Sequence, residues 1–439
     1  MTDLVPRSTQ DQSTQIGAEA LDARGTAVNC DTRLSSMTVK IKPNIETVQF
    51  GPNGQLWDSV VVVAKDKTDV TIEGQAVYDE LPYPLASLVG DVDPTSPGGT
   101  ITYDWIFTSS AAGGNDYRTY TVEQGDRERA ARAVQVTIGE FGLEISRDGF
   151  AVDGNGVGKL FTDDVQMYQN EVQNIVPSGT MTAGSFTLSF VHPVSGSTLT
   201  TGSIPYSATA AAVQSAFEAL SAVQVGDVVV SGGSLPLGTL AVEWRRRFRQ
   251  TNIATMTVGG GSLTGGSVTV SAVTAGASPT LLTLVPIVPG SVSVYRDATA
   301  GSIGSTKLNG VMMTSWRVAG RYGELWTLNE AESSWSDLVD VKPETTFGLT
   351  AVADEDGMQP LAHIRSNDTY YYRIQANGPI IEGTFRYRMI IDMAAKVTAV
   401  DDLDDQDGAF AGMYVLTPVE DATLGYAFRI SIRNTLAAL

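Results

Sequence analysis

Residues 57–90 read WDSVVVVAKDKTDVTIEGQAVYDELPYPLASLVG. The apolar run at 59–64 and the imperfect alternation at 69–78 (Val70, Ile72, Val77) predict two strands joined by a polar turn. Gly74 within the second strand marks a place for a bulge. Residues 81–89 predict a short helix with Pro82 and Pro84 in its first turn, where a missing N–H costs least. Asp79 and Glu80 stand just ahead of it, where carboxylates accept from free N–H groups and suit the positive end of the dipole. A weaker copy of this plan lies at 347–364, FGLTAVADEDGMQPLAHI, with Asp354 and Glu355 at the helix start. Two strand-then-helix units in one chain predict a duplicated domain.

Working outward, residues 39–45 alternate (Val39, Ile41, Ile45) and predict a strand, with Pro43 suited to an edge or an end. Pro52-Asn53-Gly54 is a turn signal. Alternation at 101–107, 117–123 and 135–145 predicts more strands, with a Gly-rich hairpin tip at 111–116. Residues 178–285 differ in composition, being rich in Ser, Thr, Gly, Val and Ala and poor in charge. Within them, 205–223 (PYSATAAAVQSAFEALSAV) predicts the best helix of the chain, with Ala208, Ala211, Ala212, Phe217, Leu220 and Val223 as its stripe. Beyond them, strands are predicted at 291–295, 311–318, 324–328, 370–375, 385–400, 413–418 and 427–432. Set side by side from position 34, the two halves keep one order of elements. LSSMTVKIKPNIETVQF answers VMMTSWRVAGRYGELWTL, and AVQVTIGEFGLEISRDG answers RMIIDMAAKVTAVDDLDDQDG.

The expected fold is therefore mainly β with a few helices. It divides into an N-terminal arm (1–33), a first β domain (34–165), a linker (166–177), an inserted small α+β domain (178–285) and a second β domain (286–439). Each β domain carries one helix. The 439 residues are 42% hydrophobic, enough for a real core. The formal charge of −20 argues against a surface that grips nucleic acid, though not against one that DNA slides past. One cysteine, Cys30, allows no intrachain disulfide. No apolar run is long enough to span a membrane, and the polar N-terminus is not a signal peptide.

Little in the sequence points to catalysis. His192 and His363 are far apart and, with Cys30, too few for a zinc site. No nucleophile elbow accompanies His363, and the glycines at 259–261 and 265–266 belong to turns. The acidic run Asp401, Asp402, Asp404, Asp405, Asp407 is expected as a loop. It resembles a calcium loop in composition but lacks the spacing that ends in a bidentate Glu, so solvated repulsion at a loop tip is the plainer reading. The basic cluster WRRRFR (244–249) fits an anionic partner or acidic neighbours in the same chain. No cofactor is expected.

The order of elements resembles the tail tube (major tail) protein family of long-tailed bacteriophages, in the form with two tube domains per chain. The resemblance rests on residues 57–90, on YTVEQG (120–125) and FGLEISRDGFAVDGNG (141–156), and on AGMYVLTPVEDATLGYAFRISIRN (411–434). The module around 205–223 resembles a domain often embedded in phage structural proteins. What the resemblance implies is two sandwich-like or barrel-like tube domains and a non-enzymatic homo-oligomer. That oligomer is expected to form trimeric, pseudo-hexameric rings stacked into a tube. The tube encloses the tape-measure protein, meets tail terminator and tail tip proteins, and passes double-stranded DNA transiently and without specificity. Its expected place is the virion tail, with the host cytoplasm during assembly. An acidic lumen would repel phosphate, and Glu46, Glu73, Glu140, Glu144 and Asp392 are the candidates for it, each equally open to a role as an outer-face carboxylate. The 401–408 run is the candidate contact between rings. The rival readings are a β-rich surface adhesin or receptor-binding protein, and a carbohydrate-active enzyme on a β scaffold.

Overall fold

The computed structural model describes residues 12–439 apart from 52, 55, 111–115, 127–128, 329–332 and 407. The first eleven residues of the expected arm, Pro52 of the expected turn, most of the expected 111–116 tip and Asp407 lie outside the described residues. The protein is mainly β, with three α-helices among the described residues.

The first half contains strands β1 (Ser13–Ala18), β2 (Met37–Phe50) and β3 (Val60–Gln75), helix α1 (Pro82–Leu88), then β4 (Tyr103–Thr108), β5 (Tyr120–Gly125), β6 (Ala130–Ile145), β7 (Phe150–Gly158) and β8 (Phe161–Val165). In β2, Met37, Val39 and Ile41 are buried between exposed Thr38, Lys40 and Lys42, the period-two pattern of a half-buried strand. The inserted unit contains β9 (Val172–Ala183), α2 (Ala210–Glu218), β10 (Val228–Gly232), β11 (Leu240–Trp244) and β12 (Thr264–Thr274). The second half contains β13 (Val292–Asp297), β14 (Val311–Ala319), β15 (Tyr322–Leu325), β16 (Asp337–Asp340), β17 (Glu344–Val352), α3 (Gln359–Ser366), β18 (Tyr370–Glu382), β19 (Phe385–Gln406), β20 (Ala409–Pro418) and β21 (Phe428–Asn434).

Pairing repeats between the halves. In the first, the antiparallel order is β1-β5-β6-β7-β3-β2. In the second it is β13-β18-β19-β20-β17-β14. The final strand of each half, β8 or β21, pairs with the opening part of β6 or β19. Helices α1 and α3 occupy the same place in the order. The halves share one hydrophobic core, from Val39 and Phe141 to Trp316, Phe347 and Tyr414. The insert has its own core around Phe186, Phe217, Leu240 and Trp244.

Several expected boundaries shift. Residues 13–33 are no free arm: β1 pairs along its length with β5, and Thr32 and Arg33 pair with Thr280 and Leu281. The expected linker is structured, since β9 starts at Val172 and Gln169 and Ala277 exchange backbone hydrogen bonds. The insert thus begins and ends on one antiparallel pair, Val172 with Thr274. Residues after 278 return to the first half, where Val285 and Ile287 bond the backbone of Tyr78 and Ala76. Helix α2 is shorter than expected. Thr209 caps it, its Oγ1 accepting from Ala212 N at 3.2 Å, and Val213 and Phe217 (i, i+4) carry its burial. Of the expected stripe, Ala211 and Ala212 are exposed.

The four acids placed at helix starts do not cap helices. Leu81 and Met358 precede α1 and α3, and neither makes a side-chain cap bond. Glu80 is fully buried and accepts the amides of Ser35, Ser36 and Met37 at 2.6, 3.0 and 2.7 Å. Asp79 accepts Thr435 N and Oγ1 near the C-terminus, and burial pushes its carboxyl above the usual range against those bonds. Asp354 accepts Gly357 N in a turn, and Glu355 is exposed. Where the chain changes direction its freed amides need acceptors, and Asp79, Glu80 and Asp354 meet that need rather than capping a helix.

Candidate functional site

The two halves meet along a strand-to-strand seam. Residues 314–318 of β14 pair antiparallel with 145–141 of β6. The pair makes one continuous sheet of eight strands, β2-β3-β7-β6-β14-β17-β20-β19. One face holds the core, with Leu143 opposite Trp316. The other faces solvent. Cross-strand partners share a face, so Glu73, Asp153, Gly142 and Arg317 form one row across it. Arg317 bonds Glu140 and Asp153 from across the seam. Desolvation is the largest single effect on its guanidinium and lowers it, but the hydrogen bonds and charges of Asp153 and Glu140 together outweigh it and hold the group above its usual range.

Further contacts lock the seam. A second sheet forms where β18 and β21 flank the opening part of β19; on it β21 pairs with β4, and Arg433 forks onto Asp104 at 2.6 and 2.7 Å. Glu382, at the β18–β19 turn, accepts Ile101 N and the hydroxyls of Thr100 and Thr102, which holds its carboxyl down at about 2. The connection from β14 to β17 folds over the first half. Arg321 N bonds Gly139 O, Tyr322 OH bonds Ser87 O at 2.7 Å, and Lys67 pairs with Glu324 at 2.6 Å. Trp335 is buried there with Tyr117 and Leu338.

The eight-stranded sheet has two open edges. Among the described residues, no strand pairs with the outer edge of β2. Only side chains reach it, Gln124 Oε1 accepting from Ile41 N and Thr14 Oγ1 donating to Val39 O. At the other end, β19 pairs on both sides only as far as Ala395, which lies opposite Tyr370 of β18 and Pro418 of β20. From 397 to 406 it has β20 on one side and no strand on the other among the described residues. Beyond the core, the β2–β3 hairpin projects with Ile45, Phe50, Trp57, Val61 and Val63 exposed.

The structure sorts the candidate lumen acids. Glu73, Glu140 and Glu144 share the solvent face, and Glu46 continues the Lys40–Lys42 row out onto the hairpin, where it pairs with Lys65. Asp392 is excluded from that face. It is 2% exposed and bonded by Arg373 at 2.6 and 2.9 Å, with Arg429 beside it, because the opening part of β19 lies on the second sheet. The acidic run is strand rather than loop: Asp401, Asp402, Asp404 and Asp405 lie on β19, paired with β20. Long β19 carries its pairing past the core, so these acids sit on an exposed ladder with no apolar face to favour other residues. Sequence reading missed Lys40, Lys42, Asp153 and Arg317, although the alternation of VKIKP had already set Lys40 and Lys42 opposite the core residues.

The other singled-out groups are absorbed locally. Arg247 pairs with buried Asp227 and Arg245 with Glu243 at 2.8 Å, so these two cations serve the insert itself. His363 is buried and stacked on Tyr370 at 3.8 Å, and burial together with Arg296 holds it below its usual pKa. His192 Nδ1 accepts the amides of Val194 and Ser195 in a turn. Among the described residues no group of three or more His, Cys, Asp or Glu side chains is arranged to hold a metal ion. Among the described residues no helix is long and apolar enough to cross a membrane either. No protein-family model and no curated protein matches the chain.

Proposed function

We propose that this chain is a structural, non-enzymatic subunit of a long-tailed bacteriophage tail tube, carrying two tube domains and one outer decoration domain. The observation that carries the reading is the continuous one-sided sheet: two topologically repeated halves joined edge to edge, with an open edge at each end. A sheet with a core on one face and charge on the other closes without loose edges only by joining copies of itself, and a closed ring removes the aggregation hazard that open edges pose. Three copies would give a ring of six similar units. Its inner wall would be the solvent face with Glu73, Glu140, Glu144 and Asp153. Such a wall repels phosphate and lets DNA pass without adhesion. Stacked rings would enclose the tape-measure protein and meet terminator and tip proteins at the tube ends, in the virion tail after assembly in the host cytoplasm.

The test is negative-stain electron microscopy of the purified chain over a concentration and salt series, with the mass of the smallest closed species. Hollow stacks built from rings of three chains with six lobes are expected. Six chains per ring would keep the tube and remove the pseudo-hexamer. A chain that stays monomeric at every concentration would overturn the reading.

A further inference from the structure

We infer that ring closure repeats the internal seam between chains. Residues 39–43 of one copy pair antiparallel with 400–405 of a second copy, with Lys42 opposite Asp402 and Lys40 opposite Asp404. This rests on the tube reading and specifies its lateral contact.

The register follows from the repeat. Ile41 lies opposite Val70 as Trp316 lies opposite Phe347, and Val39 opposite Ile72 as Thr314 lies opposite Leu349. Residues 39–43 therefore occupy in the first half the place of 314–318 in the second. On the receiving strand, β6 has a register shift between Ile138 and Glu140, and β19 has one between Val397 and Ala399. Past that point Phe141 faces Gly154 as Val400 faces Tyr414, and Glu144 faces Ala151 as Asp404 faces Ala411. One further shift, between Val400 and Asp402, absorbs the extra residue of β19. Residues 400–405 therefore hold the place of 141–145. In the existing seam Ser315 lies opposite Glu144 and Arg317 opposite Gly142. Transferred, Lys40 meets Asp404 and Lys42 meets Asp402.

Two observations independent of the register agree. Charge is complementary: the open edge of β2 carries exposed Lys40 and Lys42, and the open edge of β19 carries exposed Asp401, Asp402, Asp404 and Asp405. Opposite charges directly across antiparallel strands are favourable, and like charges are not. The covering layer is also asymmetric. All of α1 is buried, with the 320–343 connection bonded to its Ser87, whereas only Pro360 and His363 of α3 are buried. The β2–β3 hairpin occupies in the first half the position of that connection and projects its apolar side chains unpartnered. In the proposed joint it lies over α3 of the second copy. Gln124 and Thr14 release the β2 edge, and the incoming strand replaces their bonds with ladder bonds.

Charge exchange tests the pairing. One variant carries Lys40→Glu and Lys42→Glu, a second carries Asp402→Lys and Asp404→Lys, and a third carries all four. All these side chains are exposed, and circular dichroism of the monomer verifies the fold. Each double variant should need a concentration at least roughly tenfold above wild type to close rings, and the fourfold variant should close near the wild-type concentration. Double variants that close as readily as wild type would overturn the pairing while leaving the tube intact. Blocked double variants with no recovery in the fourfold chain would overturn the register. A wild-type chain that forms no rings would instead overturn the tube reading, and this pairing with it.

Discussion

At the scale of single residues, the chain uses carboxylates as anchors for backbone. Glu80 gathers the approach segment before β2, and Glu382 gathers the 99–102 loop across the joint between halves. Replacing Glu80 by Ala strands the buried Met37 amide and the part-buried amides of Ser35 and Ser36 and should cost roughly 2 kcal/mol, read from the shift in a urea unfolding midpoint. The effect of Glu382 is read in pH. Its folded carboxyl titrates at about 2 against an ordinary 4.5. The stabilisation is present above 4.5 and is lost as pH falls from there through about 2. The side-chain carboxyl carbon of Glu382 should therefore titrate near 2 by NMR. Glu382→Gln should lower the thermal midpoint at pH 7 and leave it nearly unchanged at pH 2.

At the scale of elements, strands β6 and β19 each serve two sheets. Their opening parts pair with β5 and β8, or β18 and β21, and their later parts enter the eight-stranded sheet. A register shift in each separates the two roles and turns the strand. The insert is an independent element by the same accounting of backbone bonds. Its ends, Val172 and Thr274, are an antiparallel pair with Cα atoms about 5 Å apart, so a short Gly-Ser bridge spans them. Excising 173–273 should leave the remainder folded, and calorimetry should show the loss of the insert's transition with the main one retained.

At the scale of the whole molecule, the proposed ring closure takes one joint inside the chain as the template for a joint between chains. Because the insert belongs to neither open edge, the proposed tube predicts that the excised chain builds hollow stacks with the full-length chain's lumen and a smaller outer diameter in electron micrographs. Tubes that fail only in the excised chain would place the insert in assembly rather than on the outside.

Several features were legible in the sequence alone: the β-rich class, the helix at 82–88, the separate composition of the insert and the repeated order of elements. All of these are local or periodic, set by which side chains alternate, where proline and glycine interrupt, and which segments contain helix formers. Tertiary structure decided what lies between distant residues. It seated β1 in the sheet, took Asp79 and Glu80 from helix caps to buried anchors, and buried Asp392 under Arg373. It also made the acidic run a strand with an open edge. An acidic side chain carries the same charge in a loop, on a wall or in a core. Only the arrangement of strands fixes which partners and how much water it meets, and so which of those roles it takes.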